Sequence, residues 1–247
     1  MKSNLVHYGY LNSILMAFEG YHYFKRAKYD FLVRSDMDVF LTPMFAQWLP
    51  VHCNDFVVGG GGFSTEFNTK RLKRIAESIE LKSSGIWNLG STWYSTPAQF
   101  RLVAYYTLFG MAYLSREEFA QPEREGKLGV ELWPEWHYGV LLLYGQSLGL
   151  NHLIATNQLN VVRLENLIDF HSGYTESIFK VIHIHVFHGG DLFSKFVFKE
   201  GKYDAMNVTA EQANVVKYYA LKMALEGKRL PESQLVSDLN ALSSKKV

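Results

Sequence analysis

Two periods alternate along this chain, and their alternation restricts the fold more than any single motif does. Leu11, Ile14, Leu15 and Phe18, followed by Tyr21 and His22, repeat at helical spacing and predict an amphipathic helix ending near Arg26. Tyr29 to Arg34 then reads as a strand, and the proline of Thr42-Pro43 stands where a helix can begin. Asp55 to Val58 predicts a short buried strand running into Gly59 to Gly62. Lys70 to Leu81 places isoleucine and leucine at helical intervals with basic residues opposite, as a surface helix does. Thr96-Pro97-Ala98-Gln99 joins an N-cap threonine, a proline at the first helical position and a glutamine three residues after the cap, so a helix should run to about Leu114. Trp136 to Leu150 looks helical, whereas Asn160 to Leu164 and Lys180 to Phe187 suit strands. Thr209-Ala210-Glu211-Gln212 repeats the capping signature and predicts a helix to Glu226, closed by Gly227. The charged segment Glu117 to Lys127, with Pro122 and Gly126, reads as a loop, and the SSKKV tail as frayed. Helices alternate with strands and no period recurs, which predicts the α/β class and not a repeat array.

The composition narrows the function. A chain of 247 residues, 48% hydrophobic, can bury a substantial core. Lys+Arg number 25 against 24 Asp+Glu, so no basic field points to nucleic acid. Cys53 is the only cysteine, which excludes an internal disulfide framework and a thiolate zinc cluster. The apolar residues of Leu11 to Phe18 are interrupted by Asn12 and Ser13, which breaks the pattern of a signal peptide. No run approaches the length of a membrane span, so the expectation is a soluble chain with no membrane segment. One sequon, Asn207-Val208-Thr209, matters only in the secretory pathway.

The stretch FLVRSDMDVFLTP, residues 31 to 43, carries the strongest chemical signal. Asp36 and Asp38 stand at i and i+2, which in extended backbone places both carboxylates on one side of the chain. Hard divalent cations take oxygen ligands, and Mg²⁺-type sites combine one or two carboxylates with water and phosphate oxygens. The pair also lies at an element boundary, where open α/β sheets place their ligands. The alternative is that Asp36 caps a turn and Asp38 is solvated.

A second cluster sits in KVIHIHVFHGGDLFSKF, with His183, His185 and His188. His183 and His185 share one face of the expected strand, with Ile184 and Val186 on the other. Imidazole suits zinc, iron and manganese, so the histidines form a site by themselves or add one nitrogen to the aspartate pair; His188, beside Gly189-Gly190, is the best ligand candidate. The alternative makes His183 and His185 hydrogen-bonded residues of a half-buried strand. Lys195 is placed to neutralise a phosphate or is a surface lysine. Gly59 to Gly62 lacks the endings of a P-loop or dinucleotide fingerprint and reads as a connector.

Together SDMDVF, NLGSTWYSTP and HVFHGGDLFSKF resemble a nucleotide-sugar glycosyltransferase of the GT-A fold, at superfamily level. The resemblance implies an α/β, Rossmann-like fold with a mixed central sheet flanked by helices, forming one catalytic domain over residues 1–247. Residues 1–28 would be a helix before the first core strand and 209–247 a C-terminal helical extension. It implies Mn²⁺ (or Mg²⁺) on Asp36 and Asp38, with His188 as a further ligand; Gly190 and Lys195 match a histidine–glycine–lysine loop, although the spacing differs and the usual Pro-Trp is absent. Asn88-Leu89-Gly90 resembles the Asn-X-Gly turn of the donor-sugar pocket, and Arg34, Ser35, Asn88, Gly90 and Gly190 are the implied donor-binding residues. Trp133-Pro134-Glu135-Trp136 resembles the acidic segment facing the acceptor, with Trp133 and Trp136 as acceptor platforms and Glu135 and Lys195 as catalytic residues. Aromatic rings beside a carboxylate suit a sugar, though both tryptophans suit a core equally well.

The implied activity is a metal-dependent, hexosyltransferase-like transfer from a UDP- or GDP-sugar to a glycan, protein or lipid acceptor. Only 35 residues precede Asp36, fewer than the resemblance implies for the strands that bind the base and ribose, so the expectation is an N-terminally truncated fold lacking its first nucleotide-binding strands, the alternative being that the base is held unconventionally. The resemblance further implies the Golgi or another secretory compartment if a precursor carries an anchor, and the cytoplasm otherwise. Two other classes remain open: a metal-dependent hydrolase using His183, His185 and His188, and a non-catalytic carbohydrate-binding protein.

Overall fold

A computed structural model describes residues 5, 8–119, 136–187, 192–234, 236–237 and 241. The chain divides into two compact units, each drawing on separated stretches: Met1–Asp36 with Leu49–Asp169, and Met37–Trp48 with Phe170–Val247. Both are mixed α/β, in keeping with the expected class.

The first unit holds a four-stranded sheet in the order β1 (Leu32–Arg34), β4 (Leu89–Ser95), β3 (Asp55–Gly60), β5 (Asn160–Arg163). β4 runs antiparallel to β1 and β3, and β5 parallel to β3. All seven residues of β4 are buried, as a strand covered on both faces must be. The ladder between β3 and β4 slips at Val58/Gly60, leaving Gly59 at a bulge. The helices are α1 (Asn12–Glu19), α2 (Tyr21–Arg26), α3 (Glu66–Ser78), α4 (Pro97–Glu117) and α5 (Leu141–Ala155). The expected capping box opens α4: the Thr96 hydroxyl accepts from the Gln99 amide and Gln99 Oε1 accepts from the Thr96 amide at 3.1 Å.

α4 and α5 pack through small residues. A Cβ on Gly145 would meet the Thr107 carbonyl at 2.7 Å and the Met111 amide at 2.9 Å, and one on Gly110 would meet Gly145 Cα at 3.1 Å. With eleven of its residues buried, α5 is a core helix rather than a surface one. Its Gln146 bonds the Trp93 indole at 2.9 Å and donates to the Gly90 carbonyl at 2.7 Å, which satisfies a buried amide against β4.

The second unit contains a three-stranded sheet, β2 (Val39–Leu41), β7 (His183–His185) and β6 (Phe170–His171). β7 is antiparallel to β2 and parallel to β6. Ile184 packs into a cluster with Phe170, Val186, Phe193 and the buried face of α7 (Val216–Arg229), while α6 (Lys195–Lys199) follows the strand. Tyr219 of α7 ties the layers by donating to the Leu41 carbonyl at 2.9 Å.

The elements differ from expectation where distant partners decide. β4 occupies the stretch read as a pocket turn, β2 and β6 were not anticipated, and the expected helix at Pro43 is a 3-10 turn, Pro43–Gln47. The Thr209 box forms, with Gln212 Oε1 accepting from the Thr209 amide, but it caps only the 3-10 turn Gln212–Asn214. Val215 is extended, and α7 then runs through Gly227 to Arg229. Most of the Glu117 to Lys127 loop, and the SSKKV tail, lie outside the described residues. Among the described residues no helix is long and apolar enough to cross a membrane.

The close approach of α4 and α5 makes a direct prediction. Gly145→Ala should cost about 1–3 kcal/mol through overpacking against backbone atoms. Gly227→Ala, where nothing lies within 4 Å of the added carbon, should be neutral or stabilise by up to about 1 kcal/mol through helix propensity. Urea unfolding of the two variants beside the parent measures both.

Candidate functional site

Asp36 belongs to the first unit and sits just past β1. Ser91 of β4 donates its hydroxyl to Asp36 Oδ2 at 2.7 Å, and Arg34 Nη2 lies 3.6 Å from Oδ1. Arg34 is 6% exposed. It donates to the Ser91 carbonyl through Nη1 and to the Ser13 hydroxyl at 3.2 Å, and it lies over Trp93 with its central carbon 5.2 Å from the ring centroid. Burial lowers its pKa and the Asp36 charge opposes that, while a guanidinium stays protonated throughout. Arg34 is therefore a fixed buried cation presenting Asp36, and Ser35 follows it in the chain.

Beside this pair lies a group the sequence reading missed. Asp169, 5% exposed and with φ +55°, accepts from the Thr92 amide at 3.2 Å and from the Thr92 hydroxyl at 2.7 Å. Its carboxyl group fits into space that only glycines leave: a Cβ on Gly59 would meet Asp169 Cγ at 2.6 Å, and one on Gly90 would collide with Asp169 Oδ2 and the Gly60 carbonyl. A left-handed non-glycine residue is held at a cost, which the surrounding bonds must repay. Gly90 is thus where a buried carboxylate enters the sheet. Asn88, at φ +56°, bonds the Ser64 amide through Oδ1 at 2.8 Å and the Gly61 amide through its carbonyl at 2.9 Å. It fixes the glycine connector to β4.

In the second unit the turn through Met37 and Asp38 leads into β2. Asp38 and Asp36 are therefore joined by turn rather than extended backbone, so the i, i+2 argument from a strand does not describe them. β2 pairs with β7 in the register Val39 to His185, and the Val186 amide donates to the Asp38 carbonyl at 3.0 Å. This brings two side chains to the Asp38 carboxylate. His185 Nε2 stands 3.5 Å from Oδ1, and Lys195 Nζ donates to Oδ2 and, at 3.2 Å, to the Val186 carbonyl. The His185 ring stacks on Phe187 with centroids 4.3 Å apart, which limits its rotation.

His183 and His185 are both buried, on the face opposite Ile184 as expected. His188, Gly190, Trp133 and Glu135 lie outside the described residues. The histidine that meets Asp38 is His185, one of the three that the sequence offers as a nitrogen ligand to the aspartate pair, whereas the sequence favours His188 for that place. Trp136 is a core residue: it is 2% exposed, parallel to Tyr144 at 4.4 Å and to Phe119 at 5.1 Å, with the Arg71 guanidinium 4.4 Å from its ring centroid. Its faces are covered, so it offers no platform to an acceptor sugar.

Burial pushes the Asp38 carboxyl up, but hydrogen bonds and charge from His185 and Lys195 outweigh this and hold it well below the usual carboxylate range. Because the folded-state value lies below the unfolded one, ionised Asp38 stabilises the fold at neutral pH. That contribution is complete above the ordinary aspartate pKa of about 3.9 and is lost as pH falls below it toward the folded-state value. Acid titration of stability should therefore show the parent's advantage over Asp38→Asn shrinking steadily below about pH 4; a constant difference across that range would contradict the assignment.

No curated protein and no solved structure matches this chain. A family match does extend over the whole of residues 1–247. The chain belongs to the family described as a domain of unknown function, DUF7164.

Proposed function

We propose that this chain is a metal-dependent glycosyltransferase of GT-A-like fold, moving a sugar from a nucleoside-diphosphate donor to an acceptor hydroxyl. The observation that carries the reading is the meeting, in one unit, of the Asp38 carboxylate, the His185 imidazole and the Lys195 ammonium, with Lys195 157 residues from Asp38 in sequence. A carboxylate oxygen and an imidazole nitrogen form a mixed donor set suited to Mn²⁺, and an ammonium beside them suits a phosphate. Asp36 is two residues from Asp38, so chain geometry alone keeps their Cα atoms within about 7 Å. A second carboxylate is thereby tethered to the pair.

In this reading Asp38 and His185, both of the second unit, would hold the cation, which when bound supplies charge neutralisation at the departing diphosphate; Asp36, two positions before Asp38 in the sequence, is proposed as a further ligand from the Asp-X-Asp pattern alone. Arg34 and Ser91 fix the orientation of the Asp36 carboxylate. In the transfer, the bond from the anomeric carbon to the diphosphate oxygen breaks and a bond to the acceptor oxygen forms. If the reaction inverts configuration, the acceptor's proton passes to a carboxylate base, a role for which Glu135 is proposed. Mn²⁺ in preference to Mg²⁺, the UDP- or GDP-linked donor, and a secretory location all belong to this proposal.

Calorimetric titration of UDP and GDP into the protein, with and without Mn²⁺, tests it. Manganese-dependent binding should appear with one of the nucleotides and weaken at least about tenfold in Asp38→Asn, equivalent to about 1.4 kcal/mol. Nucleotide binding indifferent to both manganese and the substitution would overturn the reading. Tight Mn²⁺ binding without nucleotide would favour a hydrolase built on the histidine strand.

A further inference from the structure

The ammonium of Lys195 sits between two oxygen acceptors, Asp38 Oδ2 and the Val186 carbonyl. A carboxylate with a backbone carbonyl is also a donor pair that hard divalent cations use. The other Asp38 oxygen faces His185 Nε2 at 3.5 Å, so both oxygens of this carboxylate are already engaged by nitrogen groups. From this geometry we infer that Lys195 is an internal competitor for the metal: its ammonium holds the cation position on Asp38 and must leave before a divalent ion can take it. The inference rests on the proposed metal-binding role of Asp38 and adds to it a control on when that role is filled.

The physical basis is charge exclusion. A monovalent and a divalent cation on one carboxylate repel each other, most strongly where low exposure reduces screening, and the Lys195 and Asp38 side chains are only 24% and 25% exposed. Lysine is suited to leaving, because its charge rides on a flexible four-carbon stem that exchanges partners easily. What draws it away is a competing polyanion. A diphosphate offers the ammonium new acceptors and at the same time supplies oxygen ligands to the ion. Metal and diphosphate therefore bind with positive coupling, each raising the affinity of the other by the same factor. The free protein keeps its carboxylate neutralised by its own lysine, and the metal is admitted with the nucleotide.

Titration of Mn²⁺ alone into the full chain and into Lys195→Met tests this, with Lys195→Arg as the charge-retaining comparison. Lys195→Met should bind Mn²⁺ at least about tenfold more tightly than the parent, within the usual range of coupling between sites, and Lys195→Arg should remain as weak as the parent. Thermal midpoints establish that each variant is folded, and Lys195→Gln substitutes for Lys195→Met if the latter is not. Equal or weaker Mn²⁺ binding in the uncharged variants overturns the competition, and the transferase reading survives that result if the parent still binds UDP or GDP in a manganese-dependent way. If parent and variants all fail to bind Mn²⁺ even with UDP or GDP present, the metal site falls and the competition falls with it.

Discussion

The pairing of β2 with β7 is the constraint on which the second unit and its chemistry depend. It joins Leu41 to His183, 142 positions apart by their numbers. The length-dependent part of that loop closure costs about 4 kcal/mol. Three residues on each strand cannot offset this with ladder bonds alone. The offset comes from the apolar cluster that Phe40, Ile184 and Val186 share with α7. The same register that buries Ile184 turns His185 toward Asp38, so the core and the polar cluster are two faces of one short ladder. Loss of the apolar contact would dismantle the polar one.

A comparable dependence runs through the first unit, with small residues in place of apolar ones. Gly59 and Gly90 vacate the volume that the Asp169 carboxyl group fills, and Gly110 and Gly145 let two long helices approach to backbone contact. Buried charge is tolerated there because it is bonded: Thr92 satisfies Asp169 twice, and Arg34 is shared among Ser91, Ser13 and Asp36. Rigidity follows from the same bonds, and it sets the direction of Asp36.

What could be read from the sequence was what neighbouring residues decide between themselves. The Thr96 capping box, the proline after it, the strand at Asn160 and the helix after Trp136 all appear in the structure, because their signals need no distant partner. β4 escaped notice because Gly90, Ser91 and Thr92 are small or polar, and their burial comes from strands on either side. Asp169 carried no spacing signal at all; only its glycine partners, far away in sequence, explain it. Asp36 and Asp38 stood out by type, whereas the identity of the histidine that meets Asp38 depended on a strand register that no local pattern encodes.

The second unit is assembled from a stretch of twelve residues, 37–48, and a stretch that begins at Phe170. On a ribosome adding about 5–20 residues per second, the 142 positions from Leu41 to His183 correspond to an interval of roughly 7–28 s. Throughout it β2 has been made and β7 has not. During that interval an apolar strand edge, Val39-Phe40-Leu41, lacks the partner it has in the finished sheet, and unpaired edges invite association with other chains. The charged residues around it, Arg34, Asp36 and Asp38, are the kind that discourage such pairing. The acidic pair would then protect the nascent chain before it has any chemistry to perform.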